Sequence, residues 1–244
     1  MIEQKTSKIA SSYRFTEALR THLRAGTIPV IPDIKCKSPK EGDLLGGRDP
    51  IQLAKSLARA GAPVISVVTE TNHFGGCAKL LRQIAQATEI PVLRKDFITT
   101  RAHLRASVEM GASAILLIAA MLEKKQLLFL IEEAMALGLE PLVEVHQQEE
   151  LQIIAGIALN LIGINNRKIM TGEMDNGNVS TTEQLAGFVP ANALLVSESG
   201  IASSQDVERA KKAGAQAVLV GTAIIRNPDP VRMYQQLSKV ESMR

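Results

Sequence analysis

Two hydrophobic periods alternate along this chain. Short apolar runs such as Val64-Ile65-Ser66-Val67-Val68 and Ala114-Ile115-Leu116-Leu117-Ile118 read as strands buried on both faces, while between them apolar positions recur every third or fourth residue, as on the buried stripe of a helix. The pattern predicts a leading helix over 15–23, then strands over 29–35, 63–69, 91–95, 114–119, 141–145, 160–165, 193–197 and 217–221. Helices are predicted over 49–61, 79–87, 101–110, 122–137, 148–155 and 204–213, with a last one from Asp229. Asp49-Pro50 supplies an N-cap followed by proline at the first helical position, and Ser180-Thr181-Thr182-Glu183 has the spacing of a capping box that opens another helix. Ala60-Gly61-Ala62, Met110-Gly111-Ala112 and Ala213-Gly214-Ala215 repeat one stop signal, a glycine suited to a helix C-cap.

Successive strands are spaced like βα units, and about eight such units predict an α/β fold, a single (β/α)8 TIM barrel with an extra N-terminal helix. The expected organisation is one domain over 1–244, with a helical extension over about 1–28. The alternative is an open doubly wound sheet, which the lack of a Gly-x-Gly-x-x-Gly after the first strand weakens.

Composition narrows the function classes. The 244 residues are 45% hydrophobic, enough for one large core. The 28 basic and 25 acidic residues give a net charge of +3 and form no long run, which argues against a nucleic-acid tail and leaves anion binding to a local site. Cys36 and Cys77 are the only cysteines and form no C-x-x-C, as in a reducing compartment. The N-terminal stretch lacks the apolar core of a signal peptide, and no run approaches the roughly 20 apolar residues of a membrane span. A cytoplasmic protein with no membrane or nucleic-acid partner is expected, as a monomer or weak homo-oligomer.

Candidate chemistry lies where the strands end, since barrel active sites form at the carboxyl ends of the strands. Ile90-Pro91-Val92-Leu93-Arg94-Lys95-Asp96-Phe97 finishes on charges, with Leu93 and Lys95 on one face and Arg94 and Asp96 on the other. A lone lysine there is ordinarily just solvated. Here, however, the other ends bring Asp33 and Lys35, Thr69 and Glu70, Glu144 and His146, then Asn165, Asn166 and Arg167, and finally Ser197, Glu198 and Ser199. Two lysines and several carboxylates converging on one mouth point to acid-base work, with burial and neighbouring cations lowering the pKa of Lys95. Glu144 is expected across the mouth from Lys95, and Asp33 is expected beside both lysines. Glu198-Ser199-Gly200-Ile201 and Val220-Gly221-Thr222-Ala223 place glycines and hydroxyls in the two loops where this fold usually holds phosphate. Glu144 and His146 share a strand face, but no further His or Cys joins them, so no metal is expected.

These stretches resemble the indole-3-glycerol phosphate synthase family of tryptophan biosynthesis along nearly the whole chain. The resemblance is carried by Ile34-Lys35-Cys36-Lys37-Ser38-Pro39, Ile65-Ser66-Val67-Val68-Thr69-Glu70, Pro91-Val92-Leu93-Arg94-Lys95-Asp96-Phe97, Glu140-Pro141-Leu142-Val143-Glu144-Val145-His146, Ile162-Gly163-Ile164-Asn165-Asn166-Arg167 and Ser197-Glu198-Ser199-Gly200-Ile201. It implies closure of 1-(2-carboxyphenylamino)-1-deoxyribulose 5-phosphate to an indole, with loss of CO2 and water and without metal or organic cofactor. It further implies Lys95 as general acid, Glu144 as base of the dehydration and Lys35 as a phosphate ligand that assists as an acid. Asn165, Arg167, Glu198, Ser199 and Ser38 would position the substrate, Phe74 and Phe97 would flank its aromatic ring, and Gly200, Gly221 and Thr222 would hold the phosphate. The chain departs from the family pattern at Asp33, where glutamate is usual, at Lys40, where serine is usual, and at Asn72-His73-Phe74 in place of Lys-Tyr-Phe. Alternatives are a paralogue acting on a related phosphosugar or aromatic amine, and a phosphate-binding barrel without turnover. The cysteine and aspartate pair of the neighbouring phosphoribosylanthranilate isomerases is not recognisable here.

Overall fold

Eight parallel strands close on themselves in the computed structural model, which describes residues 14–167 and 178–242. Residues 1–13 of the expected extension lie outside the described residues. The barrel strands are β1 (Val30–Ile34), β4 (Ile65–Val68), β5 (Val92–Lys95), β6 (Ala114–Ile118), β7 (Glu140–Val145), β8 (Leu161–Asn165), β9 (Leu194–Glu198) and β10 (Ala217–Val220), each paired with its neighbours in chain order. Closure comes from β10 lying against β1, with Val30 opposite Val218 and Pro32 opposite Val220. The expected barrel is therefore observed, and the doubly wound alternative is excluded because these eight strands close into a ring.

The period-2 pattern of each strand is sorted into two cores. Ile31, Leu93, Leu116, Leu142, Leu161, Leu194, Val196 and Leu219 cluster inside the barrel. Their sequence neighbours, such as Val30, Val92, Leu117, Val143, Ile162 and Val218, pack outward beneath the helices. This double burial explains why the strands read as continuous apolar runs instead of an alternation.

Helix α1 (Arg14–Arg24) stoppers the amino-terminal end of the barrel: Phe15 and Leu19 are fully buried within the interior cluster. Its first turn is capped from a distance by Glu140 at the start of β7. The Glu140 carboxylate accepts from the Phe15 N–H at 2.6 Å, from the Thr16 N–H at 3.1 Å and from the Thr16 hydroxyl. These donors have no partner within the helix, so a buried carboxylate satisfies them and lies favourably at the positive end of the helix dipole.

The outer helices follow the local signals closely. Those used below are α2 (Pro50–Arg59), α3 (Ala78–Thr88), α4 (Arg101–Met110), α5 (Lys124–Ala136), α6 (Gln148–Ile153), α7 (Ser180–Leu185), α8 (Ser204–Ala213), α9 (Thr222–Ile225) and α10 (Pro230–Leu237). Asp49 caps α2 as expected, and Gly111 and Gly214 end α4 and α8 in the left-handed conformation. The capping box expected at Ser180 is not formed. Val179 is the N-cap of α7 and makes no side-chain cap bond, while Ser180 is already helical and its N–H is held by the Asn178 side chain at 2.9 Å. A true box occurs at α8 instead, between Ser203 and Asp206.

Two features had not been expected. A small antiparallel pair, β2 (Lys37–Ser38) with β3 (Gly42–Asp43), shapes the loop after β1, and α9 is a single short turn directly after β10. Arg48 joins the two regions, donating to the carbonyls of Leu44 and Leu45 on its own loop, of Ile225 at the end of α9 and of Asn227 just after it.

Candidate active site

At the carboxyl end of the barrel, the inward residue of four strands, β1, β5, β7 and β9, changes from apolar to ionisable one step above the core. Lys95 follows Leu93, Glu144 follows Leu142, Glu198 follows Val196 and Asp33 follows Ile31, each two positions along its strand. Register brings these residues to one level, with Asn165 opposite Glu198 and Glu144 beside Gly163. Gly163 has a specific function in this layer: a Cβ there would collide with the Glu198 carboxylate, so only glycine lets that side chain lie over β8 toward Glu144.

The result is a compact charge cluster. The Lys95 ammonium lies 3.7 Å from Glu144 and 3.9 Å from Glu198. Glu144 and Glu198 are 0% and 1% exposed, whereas Lys95 keeps 21% at the open mouth. Lys95 and Glu144 thus meet near the barrel axis, in contrast to the expected separation across the mouth. The pKa of Lys95 also moves opposite to the expected direction. Burial works to discharge the ammonium, but Glu144, Glu198 and Asp33 outweigh both burial and Arg167 and hold its pKa above the ordinary lysine value. Burial, and next the charge of Glu144, push the Glu198 carboxyl well above the usual carboxylate range against the pull of Lys95. Two carboxylates sharing one lysine resolve their repulsion when one holds a proton, and Glu198 is the one so disposed.

Asp33 is anchored by the Ser66 hydroxyl, which donates to it at 2.6 Å across the β1–β4 pair. It adds to the field on Lys95 but lies under Gly221, whose added Cβ would come within 3.2 Å of the carboxylate. The Lys35 ammonium lies over the Phe74 ring, 5.4 Å from its centre. Ser38 is buried in β2, and the Lys37 N–H binds the Phe74 carbonyl, so the loops after β1 and β4 are tied together. Phe97 packs onto the interior cluster, and His73 lies between it and Phe74, with ring centres 6.5 and 6.3 Å away. Asn165 is buried and accepts from the Arg167 N–H at 2.9 Å. Ser199 adopts a left-handed φ of 64° and Gly200 one of 70°, with the Asn178 carbonyl packed where a Gly200 Cβ would be. Gly221 and Thr222 form the start of α9, beside the end of β1.

Not every polar strand end serves the mouth. Burial works to raise the pKa of Glu70, but the N–H groups of His73, Asn72 and Phe74 hold it below the usual carboxylate value, and Glu70 thereby shapes its own loop. Thr69 and Asp96 are taken up by Arg94, which points outward to His103 and Ser107 of α4. Sequence reasoning missed Ser66 and Gly163, and it placed Asn166 at a strand end without assigning it a role. Asn166 donates to Ser197 and to the carbonyls of Glu198 and Ser199 while its own carbonyl accepts from Thr182, which braces the strained Ser199 turn. A hydroxyl and a glycine interrupting otherwise apolar strands at inward positions were the available signals for Ser66 and Gly163. Among the described residues, no group of three or more His, Cys, Asp or Glu is arranged to hold a metal ion, and no helix is long and apolar enough to cross a membrane.

The family model for indole-3-glycerol phosphate synthase matches residues 1–237. Similar proteins described as indole-3-glycerol phosphate synthase include one from Thermococcus kodakarensis, 45% identical over 212 residues, spanning 87% of this chain and 92% of the relative. Another, from Pyrococcus furiosus, is 43% identical over 222 residues, spanning 91% and 96%. A bacterial relative from Halalkalibacterium halodurans is 40% identical over 236 residues, spanning 96% and 89%.

Proposed function

This chain belongs to the indole-3-glycerol phosphate synthase family and is an enzyme of that kind, and we propose that Lys95 and Glu144 carry its reaction as general acid and general base. In class the reaction is that of a carboxy-lyase. The substrate, 1-(2-carboxyphenylamino)-1-deoxyribulose 5-phosphate, is closed to indole-3-glycerol phosphate as the aromatic carbon bearing the carboxylate attacks the ribulose carbonyl. The carbonyl oxygen gains negative charge as that bond forms. A lysine held in its charged form by the carboxyl groups around it, Glu144 first among them, is suited to protonate it. Loss of CO2 restores the aromatic ring. Departure of the new hydroxyl as water then requires a proton for the leaving oxygen, supplied by Lys35 as the assisting acid, and a proton to leave the ring, which Glu144 takes.

The single observation that carries this reading is the Lys95 contact with Glu144 at 3.7 Å above a stoppered barrel core. Substrate enters by separating that ion pair, so acid and base are set on the reacting carbons by the same event. Glu198, Asn165, Arg167, Ser199 and Ser38 position the substrate, with Phe74 and Phe97 on its aromatic ring and Asp33 orienting the cations. Lys35, Gly200, Gly221 and Thr222 take the phosphate, and Lys35 assists as an acid. The supporting feature is that β9 and β10 are adjacent and are followed by the Ser199-Gly200 and Gly221-Thr222 turns, next to β1, which Lys35 directly follows. We read residues 1–244 as one barrel domain, working in the cytoplasm as a monomer or weak homo-oligomer.

The test is steady-state turnover of the pathway substrate, followed by indole fluorescence. Lys95→Ala is expected to lower kcat by about 10²- to 10⁴-fold, and Glu144→Gln by a similar factor, with both variants folded. A wild-type protein that fails to form the indole, or a Lys95→Ala variant of near-full activity, would overturn these assignments.

A further inference from the structure

Glu144 has a second neighbour that the reaction as described does not use. His146 lies two positions further along the chain with its side chain only 12% exposed, its Nε2 3.5 Å from the Glu144 carboxylate and its Nδ1 3.6 Å from that of Glu150. Glu150, near the start of α6, is itself buried and is locked in place by accepting the His146 backbone N–H at 2.7 Å. Both ring nitrogens and both Glu144 oxygens are buried and lack a hydrogen-bond partner among the described residues.

An imidazole between two carboxylates cannot satisfy both while neutral, because one nitrogen would then present a lone pair to an anion. Only the doubly protonated ring offers an N–H to each side. A buried polar group left unmatched is costly, and a small rotation would close the ring onto both carboxylates. The charged groups around this line are Lys95 and Glu198 on the barrel side of Glu144, Asp33 and Arg167 beyond them, and Glu150 on the helix side.

We propose that His146, held by Glu150, is the positioning residue for Glu144, a second partner beside Lys95 that keeps this carboxylate aimed at the substrate. The inference rests on Glu144 being the base. Its value to the reaction lies in timing. When substrate separates Lys95 from Glu144 and Lys95 gives up its proton, Glu144 loses one partner, and His146 is the one that remains to keep it aimed at the proton of the dehydration step.

The experiment compares pH profiles of kcat and kcat/KM for the wild type, His146→Gln, Glu150→Gln, Glu144→Gln and the Glu144→Gln/His146→Gln double variant, with folding checked by circular dichroism. His146→Gln is expected to lower kcat by about 10- to 100-fold with KM changed by less than about twofold, the size of effect produced by misplacing a reacting group. Its acid limb should move to higher pH, because the carboxylate has lost a stabilising partner. Glu150→Gln keeps an oxygen for the His146 N–H and should move the limb the same way by less, which preserves the test should His146→Gln fail to fold. In the Glu144→Gln background the histidine change should cost nothing more. A His146→Gln profile that overlays the wild type while Glu144→Gln is inactive would overturn this inference alone. A fully active Glu144→Gln would overturn the assignment of the base along with it.

Discussion

Glu198 shows how much of this site is decided by single residues in a dry environment. Its carboxyl has an elevated pKa in the folded protein, so the native state keeps a proton that the unfolded chain gives up at ordinary carboxylate pH. The stability from that proton is fully present below the unfolded pKa and is lost as pH rises through the folded one. Glu198→Gln keeps the shape without the ionisation, so its Tm is expected to fall less than that of the wild type between pH 5 and pH 8, as read by calorimetry. A wild-type difference that the substitution leaves unchanged would mean that Glu198 is already ionised at pH 5. Lys95, Glu144, Asp33 and Asn165 were legible at this scale because strand parity alone places them inward. Their contacts were not legible. The distance from Lys95 to Glu144 depends on the register of three strands, the reach of Glu198 depends on Gly163 one strand away, and His146 meets Glu150 only because α6 folds back.

Among the elements, periodicity and caps located nearly every strand and helix, since propensity, pattern and punctuation agree along most of the chain. Misses occurred where a tertiary contact replaces a local signal. Asn178 takes over the start of α7, and β2, β3 and α9 are too short to show a period. Helix α1 is the strongest case of such replacement, because its cap, Glu140, is 125 residues from Phe15. Glu140→Ala would orphan the donors of Phe15 and Thr16 and is expected to destabilise the protein by about 1–3 kcal/mol in urea unfolding. Burial outweighs these hydrogen bonds and raises the Glu140 pKa, so Glu140→Gln, which keeps an acceptor and sheds the buried charge, should cost clearly less. Equal losses for the two substitutions would show that the charge at the helix end matters more than the acceptor.

For the whole molecule, closure of the barrel is what turns scattered strand ends into one layer. β10 against β1, Arg48 bridging the loops beyond them, and the Ile28 N–H bonded to the Val240 carbonyl tie the beginning of the described fold to its end. Eight repeated units made that closure legible, whereas the Arg48 strap was not, since nothing local links it to Ile225 and Asn227. The stopper formed by Phe15 and Leu19 has a consequence for traffic. Among the described residues the far end of the barrel is filled, so the phosphosugar arrives and indole glycerol phosphate departs at the same carboxyl-end mouth. An arriving molecule cannot push a departing one out ahead of it; the room must empty first. Product inhibition should therefore be strictly competitive, with added indole glycerol phosphate raising the apparent KM and leaving kcat untouched in initial-rate measurements. A falling kcat would reveal a second place for the product to dwell.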